Sequence, residues 1–189
     1  MGETFYSLEE EGVDRLFLGF EYTAFRLETL QVYRAPEEAA ELEAFLAGAD
    51  QPAEVWDMTQ GWLAEVSGRI AQGKRYQRVR VVTEPLSDYL RYECAWGYAY
   101  STMAGEDVRV LSVTEGTWPE GVPRRDYWLF DSVRLLEMHY TPEGEFVCAQ
   151  LNEDPVIIVE ANRVRDQAVH HSVPYAEFAA GFDAFMHRP

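Results

Sequence analysis

The chain has 189 residues, 47% of them hydrophobic and 14% aromatic, and 33 acidic against 16 basic side chains give it a net charge of −17. The length suits one domain that buries its own core, and the aromatic content excludes wholesale disorder. Acidity this strong disfavours general binding to phosphate backbones and suits a basic protein partner or a cationic small ligand.

In chain order, Ser7 is placed to cap a short acidic helix with Leu8, Val13, Leu16, Phe17 and Phe20 as its apolar positions. Thr23 to Tyr33 alternates as a strand does, with an irregularity near Thr29 and Leu30. PEEAAELEAFLAG reads as a helix, with Pro36 at its start, acids in its first turn and Gly48 at its end. Met58, Trp62, Val66 and Ile70 recur every four residues and predict a helix from about Asp57 to Gln72, stopped by Gly73. Gln77 to Thr83 is a strand ended by Pro85; Ser87 or Asp88 caps the helix DYLRYECAWGYAY; Val108 to Val113 is the next strand. Strand, helix and strand within about 35 residues form a right-handed βαβ unit. After the loop from Glu115 to Arg125 come antiparallel strands at Tyr127 to Phe130, Val133 to Tyr140 and Glu145 to Leu151. A helix from Asp154 to about His170 and a last one from Pro174 complete the chain. The fold class expected is α+β: a single domain over residues 1–189, with a mixed sheet, a βαβ unit, an antiparallel C-terminal hairpin and helices packed on it.

Several classes of function lack support in the sequence. The opening MGETFYSLEEEGVDRLF has no basic start and apolar run of a signal peptide, and no stretch approaches the roughly 18 apolar residues of a membrane span. A cytoplasmic address is expected, with Cys94 and Cys148 as reduced thiols outside any metal-ligand or Cys-x-x-Cys spacing. Glu137 and His139 share a strand face, but no third metal ligand is visible. No phosphate-cradling glycine loop and no nucleophile elbow occur, so neither a metal nor a cofactor is expected. The stripe Trp96, Tyr98, Tyr100 reads as core or interface.

The most informative stretch is GKRYQRVRVVTEPLSDYLRYE. Lys74, Arg75, Arg78 and Arg80 are 4 of the 16 basic residues, and Glu84, Asp88 and Glu93 follow them. Ligands of parallel sheets sit outside the carboxyl ends of the strands, where the next helix begins. That rule places Thr83, Glu84, Ser87 and Asp88 at a mouth, with Tyr89 and Glu93 on one helix face beside it. Arg78 and Arg80 share a strand face, and so do Arg26 and Glu28, which could pair with each other or across to Arg78. Glu84, Asp88, Tyr89 and Glu93 are the candidate catalytic residues; Arg26, Glu28, Arg78, Arg80, Ser87 and Asp131 are the candidate ligand-binding ones. The bland alternative is solvent-facing arginines and a simple helix cap. Glu106 and Asp107 in a glycine turn read first as turn chemistry.

The stretches TAFRLETLQVYRAPEE, FLAG, GKRYQRVRVVTEPLSDYLRYE, AGEDVRVL, DYWLFD and EDPVIIVEANRVRDQAV, in this order and spacing, resemble a domain-of-unknown-function family of actinobacteria. Its signatures fall here on Arg26, Leu27 and Glu28; on Glu84, Pro85, Ser87, Asp88 and Tyr89; and on Trp128 to Asp131. The resemblance implies genes lying beside XRE-type helix-turn-helix regulators, and supplies no activity. The strand order is also loosely similar to half of a phospholipase-D-like fold, whose His-x-Lys motif is absent from this sequence. Two functions are carried forward. One is an interaction or regulatory partner of a basic helix-turn-helix regulator, or a binder of a cationic small ligand. The other is a small enzyme with an acidic pocket for a guanidinium or amine, such as a tRNA-dependent aminoacyl-transfer enzyme forming arginine-containing cyclic dipeptides. The tRNA version needs Lys74, Arg75, Arg78, Arg80, Arg124 and Arg125 to form a basic landing patch.

Overall fold

A computed structural model describes residues 2–52, 57–114 and 116–186. Eight strands form one sheet in the order β1-β7-β6-β5-β2-β3-β4-β8. They are β1 (Thr4–Phe5), β2 (Thr23–Glu28), β3 (Arg75–Glu84), β4 (Asp107–Thr114), β5 (Asp126–Phe130), β6 (Arg134–Tyr140), β7 (Phe146–Asn152) and β8 (Val173–Pro174). The middle strands β2, β3 and β4 are parallel and every other pairing is antiparallel. The helices are α1 (Glu11–Gly19), α2 (Ala39–Leu46), α3 (Asp57–Ala71), α4 (Asp88–Tyr92), α5 (Tyr98–Met103), α6 (Pro155–His171) and α7 (Tyr175–Met186). A π-helical turn, Glu93–Gly97, joins α4 to α5. The expected α+β class, the βαβ unit β3–α4–α5–β4 and the β6–β7 hairpin are all present.

Alternation along the strands sorts the side chains into two faces. Phe25, Leu27, Val79, Val81, Leu111, Tyr127 and Leu129 lie on one face under Ile158, Ala161, Val164 and Ala168 of α6, a wholly apolar layer. The other face divides along its length. Its first part holds Ala24, Tyr76, Trp128, Phe130 and Leu136 under Val13 and Leu16 of α1 and Val66 of α3. The stripe read for α3 thus faces the core through Trp62, Val66 and Ile70; the side chain of Met58 lies outside the described residues. Further along the strands the same face carries Arg26, Glu28, Arg78 and Arg80, where an apolar layer would be usual.

The structure departs from the sequence reading at several ends. Helix α1 begins at Glu11 behind Glu10, whose side chain makes no cap; Ser7 instead accepts from Glu9 N within the preceding turn. Leu8 falls outside that helix and is 45% exposed. Strand β2 stops at Glu28 and does not reach Tyr33, because Asp126 takes up the Thr29 N–H at 2.8 Å and its hydroxyl at 2.6 Å. Gln31 then takes the place of a strand residue, donating to Thr29 O and Val81 O and accepting from Thr83 N.

Candidate functional site

The parallel register sets Arg26 beside Arg78 and Glu28 beside Arg80, so four charged side chains emerge from two adjacent strands onto one buried face. Glu28 is their hub. Arg78 Nη1 donates to Glu28 Oε1 at 3.0 Å, Arg26 Nε approaches the same oxygen at 3.5 Å, and Arg80 Nη1 stands 4.0 Å from Oε2. Arg78 Nε also donates to Glu106 Oε1 at 2.9 Å, and Arg26 lies 3.7 Å from Asp126. Three guanidiniums therefore face three carboxylates, Glu28, Glu106 and Asp126. Burial alone would raise the Glu28 carboxyl; the charges of Arg78, Arg26 and Arg80 outweigh it and hold the group down at about 2.

Tyrosines close the cluster. Tyr33 donates to Asp126 Oδ2, Tyr98 to Glu28 Oε2 at 3.4 Å, and Tyr140 accepts from Arg26 Nη2 at 3.2 Å. Arg80 is fully buried and lies over the Tyr33 ring at 4.6 Å, a cation–π contact. None of its three side-chain nitrogens has a hydrogen-bond partner among the described residues, and neither has Arg26 Nη1 or Glu106 Oε2. Orphaned polar atoms are costly in an interior, and this many together are unusual for a purely structural network.

The cluster forms the floor of a cavity of about 520 Å³ lined by Arg26, Glu28, Arg78, Tyr33, Tyr140, Glu38, Tyr89 and Glu93. Glu38 comes from the 3-10 turn Pro36–Glu38 and accepts from the Tyr89 hydroxyl at 2.7 Å. Glu93 opens the π-helical turn. That turn leaves Gly97 against it: a Cβ on Gly97 would lie 2.7 Å from Glu93 Oε1. π-Helical turns inside helices recur at functional sites. Burial, then the nearby Glu38 and Glu28 charges, push the Glu93 carboxyl up to about 8, against the opposing pull of Arg80 and Arg78. A carboxyl that exchanges its proton near neutrality, in a cavity, is equipped for general acid–base chemistry.

Of the residues singled out from sequence, the fold brings Arg26, Glu28, Arg78, Tyr89 and Glu93 to this cavity, with Arg80 directly behind it. The bland alternative of solvent-facing arginines is excluded for Arg78 and Arg80, whose side chains are 12% and 0% exposed. Glu84 accepts from the Ser112 hydroxyl outside the cavity, and Asp88 is exposed and paired with Arg91. Ser87 is the cap of α4, accepting from Leu90 N at 3.1 Å and donating to Gln31 O at 2.6 Å. Asp131 sits at the opposite end of the strands, accepting from the backbone of Glu21, Tyr22 and Thr23 at 2.7–2.9 Å. The basic landing patch does not assemble either. Arg78 and Arg80 are interior, Arg124 stacks on Trp118 at 3.9 Å, and Arg125 is held by Glu137. With Glu137 so engaged and His139 against Gln150, the two share no metal geometry; among the described residues no group of three or more His, Cys, Asp and Glu could hold a metal ion. Glu38, Tyr33 and Tyr140 were not anticipated. Only the in-facing alternation Leu136, Met138, Tyr140 could have pointed to the last of them.

The fold and cavity define an α+β protein with a buried, charge-balanced polar site at one end of a parallel strand trio. Residues 11–180 match the model of the domain of unknown function DUF6879, and the chain belongs to that family. No curated protein matches the chain at a significant level. The fold is similar to the crystal structure of phosphatidylserine synthase from Haemophilus influenzae Rd KW20, with a TM-score of 0.47 and 11% identity over 94% of this chain. The chain spans 40% of the length of that structure. Among the described residues, no helix is long and apolar enough to cross a membrane.

Proposed function

We propose that the chain is a small enzyme that binds an amino-acid substrate through an amine or guanidinium and moves a proton with Glu93. The observation that carries this reading is the convergence of Glu38 and Glu93 with Tyr33, Tyr89 and Tyr140 on one cavity, above a Glu28 whose charge the arginines already match. Carboxylates beside aromatic rings are the chemistry that recognises a guanidinium or ammonium group. Arg26, with one nitrogen lacking a partner among the described residues, supplies a donor for the carbonyl or carboxyl oxygen of the same molecule. The aminoacyl version keeps this chemistry. An amine nitrogen attacks the carbonyl carbon of an aminoacyl ester, the C–N bond forms as the ester C–O bond breaks, and Glu93 passes the proton from nitrogen to the departing oxygen. The buried Arg78 and Arg80 count against a tRNA landing surface made from them, so the ester's carrier would dock elsewhere.

The test is mass spectrometry of small molecules from cells expressing the wild type, Glu93→Gln, or the Glu84→Ala, Asp88→Ala double variant. The reading expects a product that vanishes with Glu93→Gln and survives the double variant. A product indifferent to Glu93, or purified protein that fails to bind L-arginine by calorimetry, overturns it. The regulator-partner reading rests on the net charge of −17. It would take over if a basic helix-turn-helix protein formed a stoichiometric complex with a chain that binds no small molecule.

A further inference from the structure

A second chamber of about 640 Å³ adjoins the polar cavity, and both are lined by Leu8, Arg26, Glu28, Arg78 and Tyr140. Beyond this common floor its walls are Val13, Phe17, Trp62, Trp128, Leu136 and Met138, with two acidic side chains, the exposed Asp14 and Glu65, the latter paired with Arg69 at 3.0 Å. The rings sit edge to face, Phe17 against Trp62 at 5.7 Å and against Trp128 at 5.0 Å, with Trp62 and Trp128 at 6.0 Å. Leu8 and Leu18, 45% and 64% exposed, also line it. A volume of this size with mostly apolar walls and a few convergent polar groups is the form of a small-molecule site. The apolar layer of the core could have been continued here by packing; instead aromatic walls surround open space above a guanidinium. Arg26 lines both chambers, and its Nη1, in a side chain only 5% exposed, is a donor without a hydrogen-bond partner among the described residues.

We infer that this chamber is a second subsite, taking the aromatic or other bulky apolar side chain of an uncharged amide- or ester-linked amino acid whose carbonyl accepts from Arg26. The neutral carbonyl fits the charges present: Arg26, Arg78 and Arg80 are already matched by Glu28, Glu106 and Asp126, and the chamber's remaining charged side chains, Asp14 and Glu65, are acidic and would repel an anion. The inference rests on the amino-acid reading above and adds the side-chain class of a second group. Edge-to-face contacts with Trp62 and Trp128 would hold an aromatic ring in the geometry these residues already use among themselves.

The probes are N-acetyl-L-phenylalaninamide and, as the arm-less control, N-acetylglycinamide, titrated against the full chain by calorimetry and tryptophan fluorescence. The phenylalanine probe is expected to bind at least tenfold more tightly than the control and to change the emission. That gain should shrink at least fivefold in Trp62→Leu and persist in Glu93→Gln. L-Arginine should behave in the opposite way, weakened by Glu93→Gln and unmoved by Trp62→Leu. Equal affinity of the two amides for the wild type overturns the subsite, whatever L-arginine does and without any variant. Failure of L-arginine alone overturns the polar-cavity reading and leaves the subsite standing.

Discussion

At the scale of single residues, Glu28 and Asp131 show how a carboxylate serves different ends. Asp131 has a backbone φ of 50° and satisfies three successive N–H groups where the chain enters β2. Asp131→Ala should cost about 1–3 kcal/mol in urea unfolding, the cost of unmade hydrogen bonds at a half-buried turn. It should leave L-arginine binding unchanged; a comparable loss of binding would return Asp131 to the site. Glu28 instead compensates three buried guanidiniums. Glu28→Gln keeps the shape and removes the charge, so it should cost about 3–5 kcal/mol, as breaking a buried ion pair from one side does. An equal unfolding midpoint for the two chains would show that the arginines find other counter-charges.

At the scale of elements, long periodic segments were legible in the sequence and orientation was not. Strand β3 and helix α6 fall within two residues of their expected bounds because alternation and 3.6-residue spacing persist over several turns. Strands β1 and β8 have two residues each, too short to show any period. Alternation alone puts Arg26 with Glu28 and Arg78 with Arg80 on shared strand faces and leaves open whether the pairs join; Glu28 in fact takes both Arg26 and Arg78. The cavity lies about one turn further along the chain than the mouth expected at Glu84 and Asp88. Glu84 at the end of β3 and Asp88 at the first position of α4 turn away from the cavity, whereas Tyr89 and Glu93 line it. No rule of strand ends fixes the rotation of a helix about its axis, and nothing in the sequence announces the π-helical turn that aims Glu93. That turn has its own test. Gly97→Ala adds a methyl against the flexible end of Glu93, and alanine is about 1 kcal/mol better than glycine in a helix. Stability should change by no more than about 1 kcal/mol, while the displaced carboxyl weakens L-arginine binding about tenfold. Undiminished binding would mean that the position of Glu93 does not matter.

At the scale of the whole molecule, the buried cluster is three cations against three anions, so the net charge of −17 belongs to the rest of the chain, chiefly its surface. The interior and not that surface sets the sharpest pH effects. Glu28 is held near 2 in the folded chain, below its ordinary value of 4.5. Its contribution is complete above about pH 4.5 and is lost as pH falls toward 2; at ~1.4 kcal/mol per unit it amounts to about 3 kcal/mol. Glu93 works the other way. The unfolded chain releases this proton above about 4.5, but the folded chain keeps it until about 8, so stability declines as pH rises between those values. A group that destabilises the fold at working pH is one that packing alone would not favour, which is the usual mark of a functional residue. The discriminating measurement is the stability difference between Glu93→Gln and the wild type, taken from urea unfolding at intervals from pH 4 to 9. It should be small at pH 4, grow in favour of the variant up to about pH 8, and level off above it. Parallel stability profiles would show that Glu93 titrates as an ordinary surface carboxylate, and would remove the proton-transfer role with it.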